Sequence, residues 1–322
     1  MIQLGYHISH EQFPPGMLLK YAQRAEQAGF NFCISSDHFH AWNSTQGESG
    51  FAWSWLGAAM ATTNLKFGVV NCPCYRYHPA IIAQASATLD EMFPNRFFIC
   101  PGSGQALNEA IMQIRWPAKP ERNARLKEAV DIMRALWAGE TVTRNGLIKI
   151  EEATLHTRPK TNIPVIGAAI TAETAGWLAS WADGLITVSQ PADKLKKVVD
   201  AWKSNGGEGK PMKIKVQISY DKTIQEAEKG AHEQWRTNIF GSEMLGELRT
   251  TKQFEQAGKF VKPEEMYDLV NISTEPEQHV EWIQNYIDLG FEKIDLHNVN
   301  TKQEQFIDVF GEKVLPEFLS TQ

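Results

Sequence analysis

Short hydrophobic segments alternate with amphipathic segments along the whole chain. The short segments are rich in apolar, β-branched and aromatic residues, as buried strands are, and segments with helical spacing follow them. The first helical segment, for example, carries Leu18, Ala22 and Ala25 along one stripe. The predicted strands are 3–8, 32–35, 65–69, 97–100, 165–168, 185–188, 214–218 and 294–296. Hydrophobic strands that alternate with helices predict a parallel sheet covered by helices.

Eight strand–helix units in a chain of 322 residues favour an α/β fold with a closed (β/α)8 barrel, the TIM barrel, as a single domain over residues 1–322. The main alternative is a doubly wound open sheet, which is disfavoured because no Gly-x-Gly-x-x-Gly motif follows the first strand. Insertions after strands 2, 4 and 7 are predicted at 38–53, 141–159 and about 221–269. Asn145-Gly146 in the second insertion lies between β-prone segments and predicts a hairpin.

Composition narrows the functional classes. Hydrophobic residues make up 43% and charged residues 22% of the chain, as in a globular protein with a large core. The net charge of −6 argues against nucleic acid as a partner, because its binding needs a basic surface. Four cysteines do not make a disulfide framework, and neither a signal peptide nor a membrane span is recognisable. We therefore expect a cytoplasmic protein with a small-molecule substrate and no membrane partner.

The candidate catalytic residues lie where predicted strands end, because the loops after the strands form the active face of such a barrel. Glu11 follows the first strand, and Asp37 and His38 follow the second. A carboxylate beside an imidazole can fix its tautomer and raise its basicity, which would make His38 a general base near neutral pH. Trp42 could form a wall for a planar ring. Equally, Asp37 could cap the next segment and His38 could be a buried structural histidine.

Three other patterns allow alternative functions. His38 and His40 have the spacing of a metal-binding pair, which would make a metal-dependent hydrolase, but His297 is the only later histidine at a strand end. Cys72 and Cys74 lack a second cysteine pair, so loop packing is expected for them. The segment 102–104, Gly-Ser-Gly, allows backbone amides to approach a ligand closely. A binding protein without a cofactor also remains an alternative.

Five motifs together resemble the luciferase-like flavin and deazaflavin oxidoreductases, and most closely the F420-dependent glucose-6-phosphate dehydrogenases. They are SDHFHAW at 36–42, RYHPAIIAQA at 76–85, PNR at 94–96, GSGQALNE at 102–109 and ADG at 182–184. The resemblance covers nearly the whole chain. It implies a (β/α)8 barrel, usually a homodimer, that binds FMN or coenzyme F420 with the ring at the carboxyl-terminal mouth.

The resemblance also implies roles for individual residues. Asp37 would hydrogen-bond the cofactor ring, His38 would take a hydroxyl proton and Trp42 would shape the site. The segment Val69, Val70 and Asn71 would form a strained bulge beneath the ring, often with a non-proline cis peptide. The loop after strand 4 would line the ring and its side chain through Gly102, Ser103, Gly104, Gln105 and Asn108. The loop after strand 5 would lie near the cofactor phosphate through Ala168, Ala169, Ile170 and Thr171.

Three departures from the sugar-phosphate enzymes change the expected reaction. Gln105 stands where they have a glutamate proton donor, and an amide cannot fill that role. Pro191 and Leu269 stand where they have phosphate-holding cations, and Ile170-Thr171 replaces a Gly-Gly pair. We therefore expect hydride transfer between FMN or F420 and a small hydroxyl or carbonyl compound, not a sugar phosphate. Glu11 and Glu109 could supply a proton instead, and a monooxygenase using reduced FMN and O2 is the alternative.

Overall fold

A computed structural model of the chain describes residues 2–112 and 115–318, and its centre is a barrel of eight parallel strands. The barrel strands are β1 (Gln3–Ile8), β2 (Phe32–Ser36), β3 (Lys66–Asn71), β4 (Phe97–Pro101), β7 (Ile166–Ala168), β8 (Gly184–Val188), β9 (Met212–Ser219) and β11 (Lys293–Asn298). Their order is β4-β3-β2-β1-β11-β9-β8-β7, and a bridge between Ile99 and Val165 closes the ring. All eight predicted strands are confirmed, and so is the TIM-barrel fold.

The helices surround the barrel. They are α1 (Pro15–Ala28), α2 (Ala52–Thr62), α3 (Pro79–Met92), α4 (Ala106–Glu109), α5 (Lys119–Ala138), α6 (Ala172–Ala179), α7 (Ala192–Trp202), α8 (Ile224–Trp235), α9 (Ser242–Glu247), α10 (Thr251–Gly258), α11 (Pro276–Asp288) and α12 (Gln303–Lys313). The stripe predicted for α1 is buried, and Gly29 ends that helix with φ of 98°. Glycine adopts this left-handed conformation without steric cost. None of the helices in the described ranges is long and apolar enough to cross a membrane.

The interior of the barrel is divided between apolar and charged side chains. Alternate residues of each strand face the helices, where Leu4, Tyr6 and Ile8 of β1 join the main hydrophobic core. The strands β2–β4, β7 and β8 fill their part of the interior with an apolar cluster that includes Phe32 and Phe98. The strands β1, β9 and β11 instead bring buried polar groups inward, namely His7, Lys213, Lys215, Gln217, Asp295 and His297.

The predicted insertions differ in structure. The second forms a hairpin of β5 (Thr141–Asn145) and β6 (Lys149–Thr154), as predicted, and Glu128 of α5 accepts a hydrogen bond from the Leu147 backbone N–H at 3.0 Å. The third contains α8, α9 and α10 and ends at β10 (Asn271–Ile272), which pairs with the end of β9. The first is a loop that leads from β2 to α2. These long loops bring distant parts of the chain to the mouth of the barrel.

The expectation of a strained bulge at Val69–Asn71 is wrong. The strand β3 pairs in unbroken register with both β2 and β4, and no cis peptide bond occurs in the described residues. Hydrogen bonds hold the strand to its end, because the Val70 carbonyl accepts from the Asp37 N–H at 3.0 Å and the Asn71 carbonyl accepts from the Gly102 N–H at 2.9 Å. The Val69 side chain faces the helices and the Val70 side chain faces the barrel interior.

Candidate active site

A buried glutamate lies against a histidine at the carboxyl-terminal mouth of the barrel. The His38 Nδ1 atom lies 2.5 Å from Oε1 of Glu11, and the Ser9 hydroxyl donates to Oε2 at 3.0 Å. Glu11 is only 3% exposed. Burial alone would raise the pKa of Glu11, but the adjacent charge and contact of His38 lower it to about 2. Glu11 is therefore ionised at neutral pH, which favours a role in orienting His38 over the predicted supply of a proton.

Asp37 does not hold the imidazole of His38, contrary to the sequence-based expectation. Its carboxylate accepts hydrogen bonds from Trp53 Nε1 at 3.2 Å and from the Tyr77 hydroxyl at 3.1 Å. Consecutive side chains of an extended segment point to opposite sides, so Asp37 and His38 reach different partners. Glu11 orients the imidazole instead, from the loop after the neighbouring strand β1.

A single arginine lies between two buried carboxylates. The Arg76 Nη2 atom is 3.4 Å from the Asp37 carboxylate, and Nε is 3.8 Å from the Glu109 carboxylate. The Arg76 backbone N–H also donates to Glu109 at 2.9 Å. Burial raises the pKa of Asp37 and raises that of Glu109 to about 7, although the Arg76 charge opposes both shifts. Glu109 can therefore hold a proton near neutral pH.

Trp42 lies against His38 and is covered by the third insertion. The two rings meet edge to face with centroids 5.1 Å apart, and Phe254 of α10 contacts the other side of Trp42 at 5.1 Å. Leu107, Leu245 and Leu248 complete this small hydrophobic cluster. The sequence carries no local signal for these contacts, because Phe254 lies more than 200 positions from Trp42.

Asn108 positions the loop that carries His38. Its side-chain oxygen accepts hydrogen bonds from the backbone N–H groups of Phe39 at 2.8 Å and His40 at 3.2 Å. The His40 ring contacts the Leu107 carbonyl at 2.9 Å, so His38 and His40 have separate partners. Within 2–112 and 115–318, no group of three or more side chains is arranged to hold a metal ion.

The Asn71 side chain at the end of β3 has unused hydrogen-bonding capacity. It is only 4% exposed, and neither its amide nitrogen nor its amide oxygen has a partner in the described part of the chain. The Asn71 carbonyl accepts a hydrogen bond from Gly102 in the loop after β4, and the carbonyl of the preceding residue, Val70, accepts one from Asp37. A buried amide without partners is costly, so this position suits a ligand that offers one donor and one acceptor side by side.

The glycine-rich loop after β4 leads into α4. Gly104 has φ of 84°, and a Cβ there would lie 2.9 Å from the Cys72 sulfur, so this position requires glycine. The Ser103 hydroxyl accepts a hydrogen bond from Lys119 Nζ at 2.9 Å. Gln105 is the N-cap residue of α4, and its backbone carbonyl accepts hydrogen bonds from the N–H groups of Asn108 and Glu109. As expected from loop packing, Cys72 is a buried free thiol, as is Cys74.

A cleft of about 660 Å³ opens between the ends of β7, β8 and β9 and the third insertion. Ile170 and Thr171 line it, and Thr171 also caps α6 by accepting the Thr174 N–H at 3.3 Å. Ala168 ends β7, and Ala169 is buried directly beside it. The remaining walls are mainly apolar, with Pro191, Trp235, Phe240, Leu245 and Leu269, and they also carry the charged residues Lys194, Lys197 and Asp268 and the polar residues Ser189, Gln190, Gln217, Asn238 and Ser242. Sequence analysis missed both lysines, which lie on the exposed face of α7.

The predicted residues therefore occupy two parts of one mouth. Glu11, His38 and Trp42 lie on the β1–β2 side, with Asn71, the glycine-rich loop and Asn108 on the neighbouring β3–β4 side. Ile170 and Thr171 lie in the cleft on the opposite side. Leu245 connects the two parts, because it lines the cleft and packs in the cluster around Trp42.

Comparison with known proteins places this architecture in a family. Residues 1–293 match the luciferase-like monooxygenase family. An F420-dependent glucose-6-phosphate dehydrogenase of Microbacterium testaceum is 36% identical over 98% of this chain and 97% of its own length. The structure of an F420-dependent secondary alcohol dehydrogenase with an F420–acetone adduct aligns with a TM-score of 0.90 and 28% identity, over 98% of each chain. The F420-dependent tetrahydromethanopterin reductase of Methanopyrus kandleri aligns with a TM-score of 0.78 at 20% identity over 98% of this chain and 99% of the other, which supports the fold alone. The chain belongs to the luciferase-like monooxygenase family.

Proposed function

We propose that this protein transfers a hydride between a bound FMN or F420 and a small, uncharged hydroxyl or carbonyl compound. The observation that carries the proposal is the contact of the Glu11 carboxylate with Nδ1 of His38 at the mouth of the barrel. Glu11 lies against Nδ1 and favours the proton there, which leaves Nε2 as the basic nitrogen. The protein is an oxidoreductase, like its relatives, and the homodimer implied by the resemblance stays a prediction.

The residues at the β3–β4 side fit a tricyclic cofactor ring. FMN and F420 share a ring edge that carries amide-type donors and acceptors, and the unpartnered Asn71 amide offers the complementary pair. Gly102 and Gly104 allow close approach of the backbone, and Asp37 lies next to the same strand ends. When bound, either cofactor supplies a ring position that accepts or donates a hydride.

His38 accepts or returns the proton of the substrate hydroxyl group. In the oxidation direction, Nε2 takes that proton while the substrate carbon loses its hydride and the carbonyl forms. The ionised Glu11 stabilises the imidazolium that results. Trp42, packed edge to face on His38, restricts water on that side of the ring. In the reduction direction, the same nitrogen returns the proton.

Two positions of the cleft disfavour a phosphorylated substrate. Pro191 and Leu269 line the cleft where the resembling sugar-phosphate enzymes carry cations, and Trp235, Phe240 and Leu245 add apolar surface. A phosphate dianion needs charged donors at its binding site. We assign Lys194 and Lys197 to the cofactor phosphate, because they line the same cleft as Thr171. The relative of known structure holds an acetone adduct, which agrees with a secondary alcohol or ketone as substrate.

The test combines cofactor titration with turnover. Purified protein is titrated with FMN and F420 by fluorescence, and turnover is measured with secondary alcohols and with glucose 6-phosphate. His38→Ala should lower kcat by about 100-fold or more with little change in cofactor Kd. His156→Ala, at an exposed position, is the matched control and should leave both unchanged. Unchanged turnover in His38→Ala refutes the role of His38, and a preference for the sugar phosphate refutes the substrate class.

A reduced-FMN monooxygenase that uses O2 is the second candidate. Gln105 favours it, because oxygen activation by a reduced flavin needs no acid at that position. The discriminating measurement is oxygen uptake with reduced FMN in the presence of candidate substrates, together with assays for hydrogen peroxide and oxygenated product. Incorporation of oxygen into product supports this candidate, and complete conversion of the consumed oxygen to peroxide with every substrate contradicts it.

A further inference from the structure

Three lysines converge at the amino-terminal end of the barrel, opposite the mouth. Lys66 begins β3, Lys293 begins β11, and Lys213 is the second residue of β9. The residues that follow them, Phe67, Ile214 and Ile294, pack outward in the core beneath the helices. By the alternation of a strand, the three lysines therefore face the interior of the barrel. Lys213 and Lys293 are also direct partners in the pairing of β9 with β11.

Lys213 is the buried member of this lysine cluster. It is 3% exposed, and its Nζ lies 4.6 Å from the ring centre of Phe98 and 5.8 Å from that of Phe32. The two rings can lie there because Gly68 and Gly5 leave the space that a Cβ would fill. Contact with aromatic faces stabilises an ammonium group, but by less than the cost of burying its charge.

The lysine cluster has no acidic partner. Within residues 2–112 and 115–318, none of the three amines forms an ion pair with a carboxylate, and Asp295, two positions beyond Lys293, is paired with His7 at 2.7 Å. Cys100 also lies near Lys213, and burial raises the pKa of its thiol to about 12, so the thiol is neutral at ordinary pH. Burial and the like charges of Lys293 and Lys66 lower the pKa of Lys213 to about 7. The amines of Lys66 and Lys293 therefore have no carboxylate partner among the described residues, and Lys213 is partly protonated near neutral pH.

We propose that the lysine cluster binds a small oxyanion such as inorganic phosphate or sulfate. The anion would be held by Lys213 from inside the barrel and by Lys293 and Lys66 from its rim. Lys66 is exposed and Lys293 half-buried, so the anion can approach from solvent. An oxyanion placed between the amines converts their mutual repulsion into three charge-assisted hydrogen bonds. The site is separate from the mouth of the barrel and does not depend on the proposed reaction.

The test measures stabilisation by inorganic phosphate at pH 7.5, with sodium chloride of matched ionic strength as the reference. A ligand that binds the folded state raises Tm, by about 2 °C at ten times its Kd for a protein of this size. We expect a saturable rise in the wild-type protein that is lost in Lys213→Met and weakened in Lys293→Gln. Lys222→Met, at an exposed position, should retain it.

A second variant separates the lysine cluster from the mouth, where phosphate could also bind. Lys194→Met should keep the full Tm rise if the lysine cluster is responsible. Loss of the rise in Lys194→Met together with its retention in Lys213→Met overturns the proposal. Amine acetylation followed by mass spectrometry supplies a readout that does not depend on stability. Phosphate should slow acetylation of Lys213 several-fold, and an unchanged rate at saturating phosphate also overturns the proposal.

Discussion

Replacing Glu109 by glutamine should stabilise the protein at alkaline pH and leave its stability at acidic pH almost unchanged. The Glu109 carboxyl is buried, and its pKa is raised from 4.5 to about 7. Between these two values the folded protein binds a proton that the unfolded chain releases, so stability falls as the pH rises. Above pH 7 the folded state bears the full cost of the buried carboxylate. The pKa difference corresponds to about 3 kcal/mol.

The measurement is urea denaturation of wild-type protein and Glu109→Gln at pH 4.5 and pH 8. Glutamine keeps the shape and an acceptor for the Arg76 N–H, which in the wild type is 2.9 Å from Glu109. The free energy of unfolding of the variant, relative to wild type, should rise by up to about 3 kcal/mol between the two pH values. Glu312→Gln, at an exposed position of α12, controls for removal of a charge and should show no such change. An equal difference at both pH values would refute the raised pKa.

Two further substitutions test the packing of the barrel and the ion pair at its mouth. In Gly68→Ala the new methyl group would meet the Phe98 ring, so we expect a loss of about 1–3 kcal/mol in urea denaturation; Gly57→Ala in α2, where the added Cβ meets open space, should instead gain about 0.5–1 kcal/mol. Glu11→Gln removes a carboxylate whose pKa is lowered from 4.5 to about 2, and whose stabilisation is therefore present above pH 4.5 and lost as the pH falls towards 2. The variant should be less stable than wild type at pH 6 and should approach it below pH 3, and a gap that persists at low pH would contradict the ion pair.

The fold is predictable from the sequence because the periodicity of hydrophobic residues and the length of the apolar segments depend directly on which residues are buried. All eight barrel strands lie where apolar segments of strand length occur, and Asn145-Gly146 marks the hairpin that the structure contains. The wrong expectation at Val69–Asn71 came from resemblance, not from periodicity. The residues themselves form a regular strand with partners on both sides.

The candidate site was only partly predictable, because its contacts join loops that are distant in sequence. The position of His38 at a strand end identified it as a candidate, but its partner was assigned to the adjacent Asp37. The true partner, Glu11, follows β1, which pairs with the strand β2 that precedes His38. The pairing of the barrel strands therefore predicts this contact, whereas proximity in sequence does not. The contact of Phe254 with Trp42 depends on how the third insertion folds, which no local pattern encodes.

Glu11 and Glu109 differ in pKa because their neighbours differ. Glu11 contacts His38, whose charge and contact lower the pKa of the carboxyl group, so Glu11 stays ionised beside that histidine. Glu109 shares Arg76 with Asp37, and one guanidinium cannot neutralise two buried carboxylates. Because of this unbalanced charge, Glu109 can hold a proton. Glu109 lies four residues after Gln105, about one helical turn away. We therefore propose Glu109, and not Gln105, as a proton source on this side of the mouth, and the pH dependence of the stability of Glu109→Gln tests the raised pKa on which that proposal rests.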